Sequence, residues 1–244
     1  MMSQSTTKKN SNVDRVYVKL RQLAANFEFK PDARINESAL SLELGASRTP
    51  LREALNRLAA EGFLTFQSGR GFFCRSLSPS LVLDLYEARV AVETEAMRLA
   101  CKRATDEELL LLKETLDRHE KTGLPSSEPD ILLNQDEEFH LAIARLSQNA
   151  ELVGMLENLN DRVRYVRLVY LKAKVDQAER SDGSKGKTSA HRVILLALME
   201  RNTESACMAM RRHIGRRRKD AAEAVRIAYS QLYVPDDQTM ERRL

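Results

Sequence analysis

Four side chains in this sequence have the types and spacing of a metal site. Asp136 and His140 stand four residues apart, so they share one face of a helix, where they interrupt an apolar stripe. His191 and His213 also take inward-facing positions in later helical patterns. Three imidazoles and one carboxylate suit a borderline divalent ion such as Zn²⁺ or Ni²⁺. Hydrogen-bonded core histidines remain the alternative at this point, because any buried polar group needs a partner.

Arginines within apolar helical patterns indicate a place for an anion. Arg89 falls where an apolar residue is expected, and a buried guanidinium needs a carboxylate partner or a ligand. Two interpretations stay open: an internal ion pair, for example with Glu93, and a clamp for an anionic effector. Arg164 and Arg167, on a long helical segment, are further candidates for the same cavity.

Residues 45–53, GASRTPLRE, have the composition of a turn followed by a helix that presents cations. Gly45 permits a sharp turn between two short helices, and Ser47 or Thr49 can cap the second helix. Arg48 and Arg52 then lie on one face of that helix. This pattern is typical of a helix that reads a DNA groove.

The neighbouring segments complete a winged helix-turn-helix. A helical pattern over residues 13–23 and a short helix over 38–44 precede the turn, and a hairpin with strands 63–66 and 72–74 follows. The hairpin turn carries an arginine between two glycines, which lets the backbone approach a groove closely. The candidate DNA contacts are Arg34, Ser47, Arg48, Thr49, Arg52, Arg57, Gly69, Arg70 and Gly71.

The rest of the chain predicts an all-helical bundle, so the expected fold class is mainly α. Helices are predicted over about 78–103, 105–121, 130–147, 150–181, 188–201 and 203–229. His119 is expected at a solvated surface position. The predicted organisation is a disordered arm at 1–11, a DNA-binding domain at 12–77, a helical metal and effector domain at 78–230, and a tail at 231–244.

Charge and composition agree with this division. Residues 1–77 hold 12 Lys and Arg against 7 Asp and Glu, whereas the remaining residues hold 27 against 28. A basic module for phosphates is therefore joined to a nearly neutral one. No run of about 18 apolar residues occurs, so no membrane partner is expected. The three cysteines have neither metal spacing nor a disulfide framework, which favours a reducing cytoplasm.

The ordered string from Ser47 to Leu55, with Arg57, Leu58, Gly62 and the two wing glycines, resembles the DNA-binding domain of GntR-family bacterial transcription regulators. The segment Asp136–His140, with Asn149, His191 and His213 in order, resembles the FCD ligand-binding domain of the FadR-type branch of that family. The second resemblance implies that Asp136 and the three histidines hold a divalent metal. It also implies an effector site for small carboxylates, for which the candidates are Arg89, Asn149, Arg164 and Arg167.

These features predict a cytoplasmic transcription regulator, most often a repressor in such a family. We expect a homodimer that binds double-stranded operator DNA under the control of a small organic acid. The alternative is a metal-dependent enzyme that uses the His/Asp site to polarise a substrate or activate water. A strong candidate for a general base does not follow the metal motif, and catalysis would leave the DNA reader unexplained.

Overall fold

The computed structural model describes residues 3–121, 128–178 and 189–233, which form ten helices and one two-stranded sheet. The mainly α fold class is confirmed, with a small wing following the first three helices. The chain forms two compact units that divide between Ser78 and Pro79, one residue from the predicted boundary; the end of the last helix, from Leu232, groups with the first unit.

The N-terminal unit packs three helices against a hairpin. Its elements are α1 (Ser3–Ala25), α2 (Glu37–Glu43), α3 (Arg48–Ala60), β1 (Leu64–Gln67) and β2 (Gly71–Cys74). One apolar cluster joins all five, and Leu20, Leu51, Leu55, Leu58 and Phe63 are fully buried in it. The apolar face of α3 is therefore fixed against the core, which leaves its arginine face outside.

Local signals set the ends of α2 and α3. The side chain of Asn36 caps α2 by accepting a hydrogen bond from the Ala39 amide at 3.1 Å. Ser47 occupies the N-cap position of α3 without a side-chain capping bond. Gly45 has φ of +56° in the turn between the helices, a conformation that a side chain disfavours.

The wing extends beyond the two strands. Leu64 lies opposite Cys74 in the antiparallel pair. The segment before α2 runs along the outer edge of β2, where the Ile35 amide donates to Phe72 O at 2.8 Å and the Cys74 amide donates to Ala33 O at 2.9 Å. These bonds hold Arg34 beside the wing.

The predicted arm at residues 1–11 needs correction, because α1 begins at Ser3. The segment from Ser3 to Asn12 contains neither glycine nor proline, so nothing in it stops the helix from extending toward the N-terminus. Of the predicted tail at 231–244, residues up to Tyr233 belong to the last helix, and residues 234–244 lie outside the described part of the chain.

The second unit is a bundle of seven helices within the described residues. They are α4 (Pro79–Arg103), α5 (Asp106–Lys121), α6 (Pro129–Leu146), α7 (Ala150–Ala178), α8 (Ala190–Met199), α9 (Thr203–Lys219) and α10 (Ala221–Tyr233). The long helix α4 packs against α6, α7, α8 and α9. It thereby lies beside every helix that carries a predicted metal ligand.

One predicted helix of this unit is divided into two in the structure. Residues 203–229 were expected to form one helix, but the chain breaks at Asp220 and continues as α10. Asp220 accepts the first hydrogen bond of α10 through its backbone carbonyl, from the Ala224 amide at 2.9 Å. Aspartate favours the start of a helix over its interior, and the surrounding arginine-rich pattern concealed this signal.

No helix in the described residues is both long and apolar enough to cross a membrane. Cys74, Cys101 and Cys207 are free thiols, and the first two are buried.

Replacing Gly45 should destabilise the N-terminal unit through the backbone alone. A Cβ at this position would meet no atom within 4 Å, so Gly45→Ala should cost only the left-handed conformation, about 1–2 kcal/mol. Gly45→Asn should cost less, since Asn tolerates this conformation better. Amide hydrogen exchange at buried positions of α3 measures the change. Equal protection in the Ala variant and the wild type would contradict this account of the turn.

Candidate functional site

The bundle brings the four predicted metal residues together. Asp136 and His140 come from one face of α6, His191 from the first turn of α8, and His213 from α9. Each offers one ligand atom, and these four atoms lie within 4.8 Å of one another. Residues separated by up to 77 positions in the chain thus form a single cluster.

The facing atoms of this cluster have the separations of a shared ligand sphere. His140 Nε2 lies 3.1 Å from His213 Nε2. Asp136 Oδ1 lies 3.3 Å from His191 Nε2 and 3.8 Å from His213 Nε2. Donor atoms that are neighbours around one ion at about 2.0–2.2 Å lie about 3–4 Å apart. The four residues therefore fit a divalent ion by donor type and by spacing.

The cluster also contains a buried atom that lacks a hydrogen bond. His191 Nε2 has no hydrogen-bond partner among the described residues, although Asp136 Oδ1 approaches it. Its ring is held from the side by Phe139, with stacked ring centroids 4.3 Å apart. An unpaired buried polar atom costs about 1–3 kcal/mol, which a metal ligand role removes.

Asp136 divides its two carboxylate oxygens between two neighbours. Oδ1 faces His191 and His213, while Oδ2 accepts a charge-assisted hydrogen bond from Arg167 on α7. Burial acts to raise the pKa of Asp136, but Arg167 and the nearby imidazoles outweigh it and hold the pKa well below its usual range. The carboxylate is therefore ionised, as a metal ligand must be.

Behind His140 lies a second carboxylate that the sequence did not mark as part of the site. Glu93 on α4 contacts His140 Nδ1 through Oε2 and pairs with Arg89 through Oε1 at 2.7 Å. Burial acts to raise the pKa of Glu93, but the charge of Arg89 and the contact with His140 outweigh it and lower the pKa. The available signal was the spacing of Arg89 and Glu93, an ion pair four residues apart within an apolar stripe.

A cavity of about 300 Å³ adjoins the cluster. Asp136, His191 and Arg167 form its polar wall beside the metal residues. The other lining residues are Tyr86, Leu116, His119, Glu120, Leu132, Leu133, Gln135, Tyr170, Leu171, Ser189, Asp220 and Ala224. Mostly apolar walls with a few convergent polar groups are typical of a small-molecule site.

Of the four predicted effector contacts, only Arg167 lines this cavity. Arg89 is instead occupied by Glu93. Arg164 reaches Glu137 and Asn134 on α6 and stays partly exposed.

Asn149 serves the backbone rather than the cavity. Its Oδ1 accepts hydrogen bonds from the Glu151 and Leu152 amides at 3.1 and 3.3 Å, so it caps the start of α7. A polar residue just before a helix is as well suited to capping as to binding, and its direction is set by the turn.

His119 does not occupy the solvated surface position that the sequence predicted. It is half-buried and borders both the cavity beside the metal residues and a second one between α5 and α6. The charged sequence around it concealed this, because one side of α5 faces the bundle while the other faces solvent.

The charged side chains around the cluster balance one another. Glu93, Asp136 and Glu137 supply three negative charges, and Arg89, Arg164 and Arg167 supply three positive ones, all in direct ion pairs. With neutral imidazoles, a bound divalent ion would leave the site positively charged. The ion would thus add positive charge at one wall of a cavity that also contains Glu120, which pairs with Arg192, and Asp220.

Most of the predicted DNA contacts are exposed in the N-terminal unit. Arg48 and Arg52 are exposed on the outer face of α3. Arg34 lies beside the wing, where a Cβ on Gly71 would come 3.9 Å from its Nε. Glu37 lies near both, 3.6 Å from Arg52 Nε. Ser47, Thr49, Gly69 and Arg70 are also exposed, and Gly71 is partly so.

Arg57 is held by another part of the unit. Its guanidinium stacks on the Tyr17 ring at 3.7 Å and pairs with Asp14 and Glu61. Five residues separate it from Arg52, so it points about 140° away around the helix. The structure thus assigns Arg57 to the packing of α1 on α3 and not to the surface that Arg48 and Arg52 share.

Family models match both units of the chain. Residues 12–74 match the model described as bacterial regulatory proteins, gntR family, and residues 84–216 match the FCD domain model. Each match covers the elements described above: the first spans the winged helix-turn-helix, and the second contains all four metal residues.

Proteins that resemble this chain over most of its length are named as transcription regulators. The chain is 36% identical over 211 residues to the Nta operon transcriptional regulator of Aminobacter aminovorans, covering 86% of this chain and 95% of that protein. It is 29% identical to the HTH-type transcriptional repressor GlaR of Escherichia coli, covering 76% and 84%. The fold resembles E. coli McbR/YncC with a TM-score of 0.60 at 21% identity, covering 90% and 98%.

Removing one ligand of the cluster should release a bound metal. Elemental analysis of protein purified without chelator should find about one divalent ion per chain, and His140→Ala and His191→Ala should each lower that content and the thermal stability. His119→Ala is the matched control, since it removes an imidazole outside the cluster. Wild-type protein with no metal and undiminished stability would identify these residues as ordinary core histidines.

Proposed function

The chain belongs to the gntR family of bacterial regulatory proteins and carries an FCD domain, and we propose that it controls an operator through a small carboxylic acid bound beside a divalent metal. It is a transcription regulator, and its relatives give no support to the alternative of a metal-dependent enzyme. The observation that carries the proposal is the convergence of Asp136 and three histidines next to a cavity that contains Arg167.

DNA recognition rests on the shared arginine surface of the winged unit. Arg48 and Arg52 extend from the first turns of α3, where guanidiniums can reach guanine edges in a major groove. Arg34 and Arg70 flank them beside the wing and suit phosphates or the adjacent minor groove. We propose a homodimer that places two such surfaces about one DNA turn apart on an inverted repeat. We also propose a cytoplasmic location, because a bacterial regulator must reach its operator DNA.

The metal site would be formed by Asp136, His140, His191 and His213. Nitrogen donors with a single carboxylate favour Zn²⁺ or Ni²⁺ over Mg²⁺ or Ca²⁺, which prefer oxygen ligands. When bound, the ion supplies positive charge at the cavity wall. Asp136 and the imidazoles supply the binding atoms, while Arg167 fixes the second oxygen of Asp136.

The effector would be a small acid with its carboxylate toward Arg167 and the metal residues. The balance of three acids and three arginines leaves the charge of the ion for this carboxylate to neutralise. Tyr86 and apolar side chains such as Leu133 and Leu171 would surround the remainder of the molecule. We propose that the protein exchanges between a conformation that binds the operator and one that does not, and that the acid changes operator affinity because it binds these two conformations unequally. By analogy with the named repressor GlaR, we propose repression.

Loss of either base-facing arginine should weaken operator binding. Arg48→Ala and Arg52→Ala should each cost about 1–3 kcal/mol per half-site, measured by fluorescence anisotropy on DNA selected by the wild-type protein from a random pool. Arg57→Ala is the matched control, because it removes the same charge from the far side of α3 and should cost less. If the control loses as much affinity as the other two variants, α3 does not face DNA in this way.

The effector can be sought by thermal shift with monocarboxylic, dicarboxylic and hydroxycarboxylic acids. A true effector should stabilise the metal-loaded protein, by about 2.7 kcal/mol at a hundredfold excess over its dissociation constant. The shift should shrink after metal removal and in Arg167→Gln, whereas Arg164→Gln should retain it. The same acid must change operator affinity. Stabilisation that survives both metal removal and Arg167→Gln would place the effector elsewhere.

A further inference from the structure

A buried chain of three side chains runs from α4 to the metal cluster. Arg89 and Glu93 lie one turn apart, and their side chains are 3% and 1% exposed. Arg89 donates to Glu93 Oε1 from Nε at 2.8 Å and pairs with the same oxygen through its terminal nitrogen at 2.7 Å. The other oxygen, Oε2, faces His140 Nδ1. Both carboxylate oxygens are thus used, one on each side.

This arrangement decides which nitrogen of His140 faces the cluster. A carboxylate oxygen only accepts hydrogen bonds, so the ring nitrogen against it must carry the proton. With its proton on Nδ1, neutral His140 presents an unprotonated Nε2 toward His213 and Asp136. Carboxylates that hold metal-binding histidines in this way also raise the basicity of the ligand.

Arg89 stabilises the ionised form of the buried Glu93 carboxylate. An ionised glutamate at 1% exposure would be strongly disfavoured without a cation or several donors around it. Arg89 provides the charge and two donor nitrogens, and it is absent from the walls of the cavity beside the cluster. Its contacts therefore point toward the metal ligand and not toward an effector.

We propose that Glu93 and Arg89 are positioning residues of the metal site, which act through the orientation and proton position of His140; this inference rests on the proposed metal function. Glu93 holds the imidazole, and Arg89 holds Glu93. The competing view is a plain structural ion pair, which would support the packing of α4 without affecting metal affinity. The two views differ in what a nearly isosteric substitution should do.

Glu93→Gln separates them because an amide has only one acceptor oxygen. Arg89 offers donors alone, so it should draw the amide oxygen to itself and leave the NH₂ group against His140. His140 Nδ1 would then have to accept, which moves the ring proton to Nε2 and blocks the metal-facing atom. Adding Arg89→Met removes the competing donors and lets the amide turn its oxygen toward His140.

The experiment measures Zn²⁺ affinity by competition with a chromophoric chelator, together with thermal unfolding with and without Zn²⁺. Glu93→Gln should bind Zn²⁺ about 10–100-fold more weakly and lose most of its metal-induced stabilisation. The Arg89→Met/Glu93→Gln double variant should recover part of that affinity. Glu95→Gln, which removes an exposed partner of Arg98 on the same helix, should match the wild type.

The outcomes separate a failure of the metal site from a failure of the positioning role of Glu93 and Arg89. A wild-type protein that does not bind Zn²⁺ would overturn the metal site itself. Wild-type affinity in Glu93→Gln, or an equal loss of stability with and without Zn²⁺, would reduce the pair to a structural role. A double variant no tighter than Glu93→Gln would refute the proton account. Should Glu93→Gln not fold, long-range ¹H–¹⁵N NMR of the metal-free wild type must still show the His140 proton on Nδ1, and a proton on Nε2 there would refute the proposal.

Discussion

The two carboxylate oxygens of Asp136 need different partners, and the bundle has to supply both sets in one buried place. One oxygen faces the imidazoles of His191 and His213, and the other is held by Arg167. Burying this carboxylate with fewer partners would cost free energy of folding. Without it, the three imidazoles would offer only nitrogen ligands and no negative charge to a metal ion. The packing of α6 on α7 and α4, and of α8 and α9 on α4, brings these partners to one carboxylate.

Sequence patterns predicted the parts of this site that depend on a single helix. Asp136 and His140 follow from a spacing of four, and Arg48 and Arg52 follow in the same way. The sequence could not predict which arginine enters the cavity, because Arg89, Arg164 and Arg167 all lie on helices with apolar neighbours. Arg89 meets Glu93 within α4, as their spacing of four allowed, whereas only the position of α7 beside the cluster decides that Arg167 and not Arg164 lines the cavity.

Other errors have the same origin. Asn149 stands at a helix start, where a polar side chain can serve the backbone or a ligand, and the local sequence does not distinguish these roles. His119 has charged neighbours, yet the side of α5 that it occupies turns toward the bundle. Arg57 belongs to a basic helix but rotates onto Tyr17. In each case the residue type was informative, and the direction of the side chain required tertiary structure.

The equal number of acids and arginines around the cluster has a thermodynamic consequence. If a divalent ion and an organic acid are neighbours in the same site, each raises the affinity of the other by the same factor. The acid would then do more than signal to the operator: it would draw the ion into the protein from a dilute pool. Where free metal is scarce, the response would follow the product of two concentrations. The regulator would thus respond only when both the acid and the free metal ion are present. An abundant acid would not change operator binding while the free metal concentration is low.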